Sequence, residues 1–181
     1  MGVQRALRLG MTAVALGIGV AFGAQDAPYR APKLVGQTWI NVKPADVDRV
    51  QRLKGRVTVL HFWTFECINC KHNLPSYAAW AKQFPSDGVQ VIGVHTPELP
   101  EERRLENVRK AVPRLGIEYP VLVDSDGDNW RRYGLQVWPT VFVIDKKGRV
   151  RRTWEGELGY NGADGFQQLT RTIQELLKEP G

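Results

Sequence analysis

The chain has 181 residues, 43% hydrophobic and 24% charged, with 18 glycines and 11 prolines. That is enough for one domain of ordinary size and too little for two, and the balance excludes long disorder, collagen-like repeats and coiled coil. Only two cysteines occur, Cys67 and Cys70, which excludes a disulfide-stapled miniprotein and a four-cysteine zinc site within one chain. The net charge is +6, but Lys and Arg alternate with Glu and Asp instead of forming a stripe. Nucleic acid is therefore not an expected partner.

The chain begins like an export signal. Arg5 and Arg8 precede an apolar run of 16 residues, Leu9 to Ala24, short of the roughly 18–20 that span a bilayer core. Ala21 and Gly23 are the small residues of a cleavage site before Ala24, so residues 1–23 read as a signal peptide. Cleavage there leaves 158 residues and a net charge of +4. An uncleaved N-terminal anchor is the other reading, and then the only contact with a membrane. Both place the remainder outside the cytoplasm, in a periplasm or its equivalent.

Residues 24–33 read as a linker and residues 34–179 as one domain. Leu34 to Val42 mixes apolar and polar residues like a short edge strand or hairpin. Val57–Trp63 (VTVLHFW) is nearly continuous in apolar and β-branched residues, the pattern of a strand covered on both faces. Val89–Val94, Tyr119–Val123 and Thr140–Ile144 look alike. Asp145-Lys146-Lys147-Gly148 then turns the chain back into Val150–Trp154, a hairpin with a charged edge. Between the strands, apolar residues recur at helical steps: Leu74, Tyr77, Ala78, Ala81 and Phe84, then Leu105, Val108, Val112 and Leu115. Phe166, Leu169, Ile173, Leu176 and Leu177 mark a last helix. The alternation predicts an α/β fold, a central mixed and mostly parallel sheet with helices on both faces.

Cys67-Ile68-Asn69-Cys70 follows a buried strand and opens an amphipathic helix. Free N–H groups and the positive end of the helix dipole favour a thiolate at the first cysteine, the reactive form. The second, one turn later, is placed to attack a mixed disulfide formed on the first. A purely structural disulfide here closes a short loop worth about 2 kcal/mol, against about 4.7 for a loop of about 100 residues. A mononuclear zinc site needs further ligands from His61, His72 or His95, which lack a standard spacing. Haem attachment needs a histidine after Cys70, where Lys71 stands. Redox chemistry is the reading that uses both cysteines, with no cofactor beyond the redox-active Cys67–Cys70 pair and no metal.

The segment FWTFECINCKHNLP resembles the active-site segment of the thioredoxin superfamily, most closely its exported TlpA-like and DipZ-type branches, which the GVHTPE segment at Gly93–Glu98 also resembles. The likeness runs from about Leu34 to the last helix. It implies a thioredoxin-like fold with an N-terminal strand or hairpin and a helical insertion between Val94 and Tyr119. Trp63 matches the family's tryptophan before the cysteines and Pro75 the proline that follows them. Trp138-Pro139-Thr140 matches the loop whose proline is cis and which offers backbone groups to a substrate peptide. The resemblance thus implies Trp63, Trp138, Pro139 and Thr140 as substrate-binding residues, Cys67 as nucleophile and Cys70 as the resolving cysteine.

Two departures carry their own chemistry. His61 stands where thioredoxin has a buried acid, either as a core histidine or as a group exchanging a proton with Cys70. Glu66 stands where thioredoxin has tryptophan; a carboxylate there opposes the Cys67 thiolate unless solvent screens it. It would make Cys67 less acidic than in a strongly oxidising protein, favouring a reductant, with Lys71 and His72 acting in the other direction if they face it. His95 and Glu98 follow a strand end, where loop-ordering roles are expected of them.

The expected function is a thiol–disulfide oxidoreductase acting on protein thiols and disulfides. The resemblance adds cytochrome c maturation or metal-site assembly as settings and a CcdA-type membrane protein as electron donor. Two alternatives use the same cysteines. Thr64 sits three residues before Cys67, as in the peroxiredoxin motif, although Leu60 replaces that motif's proline. A copper chaperone would use the two thiolates and a histidine.

Overall fold

Val57 to Trp63 lies at the centre of the fold, and every one of its residues is buried. The computed structural model describes residues 27–181; the export signal and the start of the linker lie outside the described residues. In chain order the elements are β1 (Tyr29–Arg30), β2 (Trp39–Ile40), α1 (Val47–Gln51), β3 (Val57–Trp63), α2 (Ile68–Gln83), β4 (Val89–His95), α3 (Leu105–Arg114), β5 (Val121–Val123), α4 (Asp128–Arg132), β6 (Thr140–Ile144), β7 (Arg149–Glu155) and α5 (Gly165–Lys178). One sheet takes all the strands in the order β1-β7-β6-β3-β4-β5-β2.

Strand alternation divides the core into two layers. Val57, Val59 and Trp63 of β3 join Leu74, Tyr77 and Trp80 of α2, Val108 and Val112 of α3, and Leu169 and Ile173 of α5. Leu60 and Phe62 face the other way, with Ile92, Leu122 and Phe142, onto Val50 of α1 and the rings of Trp130 and Tyr133 around α4. Helices thus cover both faces. The helical insertion is α3 with a preceding 3-10 turn at Pro100–Arg103.

The sheet is mixed, but parallel pairing is confined to β3–β4 and β4–β5. β6 runs antiparallel to both β3 and β7, and the edge strands β1 and β2 are antiparallel too. The expectation of a mostly parallel sheet is corrected by a simple cause: a continuous apolar run reports cover on both faces, not strand direction. β6 and β3 carry the same signal and run opposite ways. The β6–β7 turn is built as its sequence suggests. The Asp145 carboxylate accepts the N–H groups of Lys147 and Arg149, both at 2.9 Å, and Gly148 closes the turn at φ +78°. A Cβ at Gly148 would lie 2.8 Å from the Leu53 carbonyl oxygen.

The linker expectation is also corrected. Within residues 24–33, Tyr29–Arg30 pairs with β7 and Ala31 is buried, so the domain begins before Leu34. A two-residue strand carries no periodicity to detect. The Leu34–Val42 segment supplies β2, an edge strand paired with β5.

Candidate active site

β3 delivers the chain into a three-residue loop, Thr64–Glu66, and Cys67 caps the N-terminus of α2 in extended conformation. Its sulfur accepts the Cys70 N–H at 3.1 Å, in the position where a helix start stabilises negative charge. Cys67 and Cys70 are joined in a disulfide, with Cα atoms 5.3 Å apart. The two differ sharply in access: Cys70 is fully buried in the α2-side core, whereas Cys67 is half-buried and its neighbour Ile68 is 60% exposed. Of the two cysteines, only Cys67 has exposed surface to offer a partner.

The Trp138–Pro139 peptide is cis, as the resemblance implies. Thr140 pairs with Phe62 and Trp63 with His95, which sets Pro139 at the end of the sheet where β3 releases the cysteine loop. The Trp138 ring stacks on Trp130 at 3.8 Å and is half-buried, beside the exposed Val137. Three of the four expected substrate contacts are buried, Pro139 among them. Trp63 is fully buried between strand and helices, and Thr140 is buried with its hydroxyl on the Val137 carbonyl at 2.8 Å. Both sit inside the sheet, so they support the site from beneath. Pro75 lies inside α2 on its exposed side.

His61 lies on the cysteine side of the sheet, fully buried, stacked on Tyr77 at 3.9 Å and edge-on to Tyr119 at 5.5 Å. Neither ring nitrogen has a hydrogen-bond partner. Burial pushes the imidazole down to about 3, so it stands neutral and is a poor acceptor for a thiol proton. The surroundings are those of a packed aromatic ring. Gly93, paired with His61 on β4, permits this: a Cβ there would lie 3.0 Å from both His61 Nε2 and Trp63 Nε1.

Glu66 is exposed and its carboxylate meets Lys71 Nζ at 3.5 Å, so the charge expected to oppose Cys67 is partly offset. His72 is engaged by Glu157, at 2.9 Å.

Two residues that the sequence did not single out organise the site. Asn73 on α2 accepts the Leu158 N–H at 2.8 Å and donates to the Gly156 carbonyl at 3.0 Å. Gly156 in turn donates to the Pro139 carbonyl at 2.7 Å, tying the cis-proline loop to the cysteine helix. Glu102, in the insertion, is completely buried. Its carboxylate accepts the N–H of Glu66 at 2.9 Å through one oxygen and those of Glu98 and Leu99, both at 2.8 Å, through the other. Burial pushes its carboxyl up, but hydrogen bonds from Thr64, Leu99, Glu66 and Glu98 outweigh this and hold it below the usual range. His95 closes the group, its Nε2 3.4 Å from the Thr64 hydroxyl and its ring stacked on Phe65. Burial pushes His95 down to about 4, against the opposing charge of Glu102. The loop-ordering role expected of His95 and Glu98 thus centres on Glu102; the side chain of Glu98 is exposed. The sequence signal was slight: a glutamate three residues after Leu99, the spacing at which a side chain reaches back to a turn's first N–H.

A half-buried cysteine at a helix start, bonded to a sealed one a turn on, with a cis-proline loop at the same end of the sheet, is the arrangement of a thioredoxin-like fold suited to thiol–disulfide exchange. A profile described as the AhpC/TSA family matches residues 30–153. The chain belongs to that family. It is 39% identical over 155 residues to protein DipZ of Mycobacterium bovis, covering 83% of this chain and 22% of DipZ; it therefore spans about a fifth of that relative's length. It is 30% identical over 105 residues to sporulation thiol-disulfide oxidoreductase A of Bacillus subtilis, covering 58% of this chain and 62% of the relative. The crystal structure of a thiol-disulfide isomerase from Corynebacterium glutamicum superposes with a TM-score of 0.66 at 26% identity, covering 83% of this chain and 98% of that one.

Proposed function

We propose that this protein works outside the cytoplasm as a reductant of protein disulfides. The Cys67 thiolate attacks a partner disulfide, forming a mixed disulfide and releasing one partner thiolate. Cys70, once deprotonated, attacks the Cys67 sulfur, freeing the second partner thiol and closing the Cys67–Cys70 disulfide. Two electrons and two protons pass to the partner, and a second protein must return them. A membrane electron-transfer protein of the CcdA type fits that need, with cytochrome c or metal-site assembly as the setting; this rests on the family resemblance. The export-like N-terminus carries the location, and among the described residues no helix is long and apolar enough to cross a membrane.

The observation that carries the reading is the contrast in access between half-buried Cys67 and sealed Cys70 within one disulfide. The peroxidase alternative draws less support. The Thr64 hydroxyl, which that chemistry would aim at the sulfur, is engaged by His95 and Glu102. The copper alternative lacks its histidine: among the described residues no three His, Cys, Asp or Glu side chains gather as a metal site.

The test is to offer the reduced protein insulin and hydrogen peroxide separately, and to equilibrate it with glutathione. Insulin reduction is expected, with a potential nearer thioredoxin's, about −270 mV, than that of DsbA, about −120 mV. Fast peroxide consumption with no action on insulin would overturn the function, and a potential near the DsbA value would overturn the direction.

A further inference from the structure

A carboxylate with no exposed surface needs a reason, since burying a charge is costly unless it is fully hydrogen-bonded. Glu102 is satisfied by three backbone N–H groups and the Thr64 hydroxyl. The bonds to Glu98 and Leu99 serve the insertion itself, steadying the turn at Pro100–Arg103. The bond to Glu66 does something else. It crosses 36 positions of sequence to the residue directly before Cys67. Thr64, at the other end of the same short loop, is held by the same carboxylate, and Phe65 between them is covered by the His95 ring. One side chain therefore grips both ends of the segment that places the reactive sulfur.

We propose that Glu102 is a positioning residue for the redox pair. It clamps the loop before Cys67 to the insertion, and its fixed negative charge behind that loop disfavours the Cys67 thiolate, biasing the pair towards reduction of its partners. Glu66, the acid beside the cysteine in sequence, is exposed and partnered by Lys71, so it is the weaker influence. Glu102 has no cationic partner within the group: His95, packed against the loop, is held neutral by burial. The inference rests on the redox reading above.

Two variants separate the charge from the reach. Glu102→Gln keeps the size and removes the charge. The pH curve for alkylation of Cys67 by iodoacetamide is expected to move to lower pH, with the rate at neutral pH rising up to about tenfold, the scale of one charge at roughly 10 Å in a partly screened interior. The other ionisable groups around the segment, Glu66 with Lys71, His72 with Glu157, His95, and Glu101, Lys110 and Arg114 across the cavity beside Phe65, are the same in both proteins. Glu102→Asp keeps the charge but is one methylene short. Its Glu66 amide is expected to exchange hydrogen faster and its mixed-disulfide formation to slow several-fold, and it carries the test if the Gln variant does not fold.

A thermodynamic cycle guards against a purely structural role. Loss of a turn clamp alone lowers the melting temperature equally in the oxidised and reduced forms and leaves the reduction potential unchanged. The proposal requires unequal losses, larger in the oxidised form, and a more oxidising potential. Equal losses with an unmoved alkylation curve would overturn it. Insulin reduction by the parent protein is run alongside. A parent that reduces insulin while the variants match it refutes the positioning role alone; an inactive parent refutes the function.

Discussion

His61 gives the sharpest quantitative test of the interior. Its imidazole is sealed among Tyr77, Tyr119 and Trp63, with neither nitrogen hydrogen-bonded, and burial pushes it down to about 3. An exposed histidine in the unfolded chain titrates near 6.5. Between those values the unfolded chain binds a proton that the folded one refuses, so stability is complete above about pH 6.5 and falls as the pH drops towards 3. At pH 5 the loss from this one ring is about 2 kcal/mol, since each unit is worth about 1.4 kcal/mol. His61→Phe keeps an aromatic ring in the layer and removes the titration. Urea unfolding of both oxidised proteins at pH 7.5 and pH 5 measures the difference. The parent should lose about 2 kcal/mol more than the variant over that interval; His95, pushed down to about 4, contributes the same acid-side loss to both. Identical pH dependence would refute the reasoning. The same variant should release a trapped mixed disulfide at the parent's rate across pH, whereas a pH-dependent slowing would restore the proton-exchange role for His61.

Two further outcomes follow from the loop geometry. Asn73→Ala removes the acceptor of the buried Leu158 N–H and the donor to Gly156, which should cost about 2–4 kcal/mol by denaturant unfolding; a loss below about 1 would show that the 156–158 loop does not depend on it. Glu66→Gln should move the Cys67 alkylation curve less than Glu102→Gln does, because Lys71 already offsets the exposed acid. The reverse ranking would return the dominant charge to Glu66.

Much of this architecture was legible because burial on both faces writes long apolar runs. Val57–Trp63 and Thr140–Ile144 match β3 and β6 residue for residue, and the stripes around Val108 and Leu169 lie in α3 and α5. Strand direction was not legible, since the antiparallel β6 is as apolar as its parallel counterparts. The five-residue helices α1 and α4 span too few turns to show a period. At the site, Cys67, Cys70 and the cis Pro139 were legible because their chemistry is tied to residue type. The burial of Trp63, Pro139 and Thr140 was not legible, because a motif fixes position in the chain and not exposure. Glu102 escaped notice because its partners, Thr64 and Glu66, lie on the far side of β4 in sequence, and a glutamate in a charged turn reads as surface.

The account turns on which sulfur meets the partner. Mixed disulfides trapped from a disulfide-bearing protein substrate should accumulate on Cys70→Ser, which leaves Cys67 reachable and unresolved, and not on Cys67→Ser, which leaves only the sealed Cys70. Equal trapping on both variants, or trapping on Cys67→Ser alone, would contradict it.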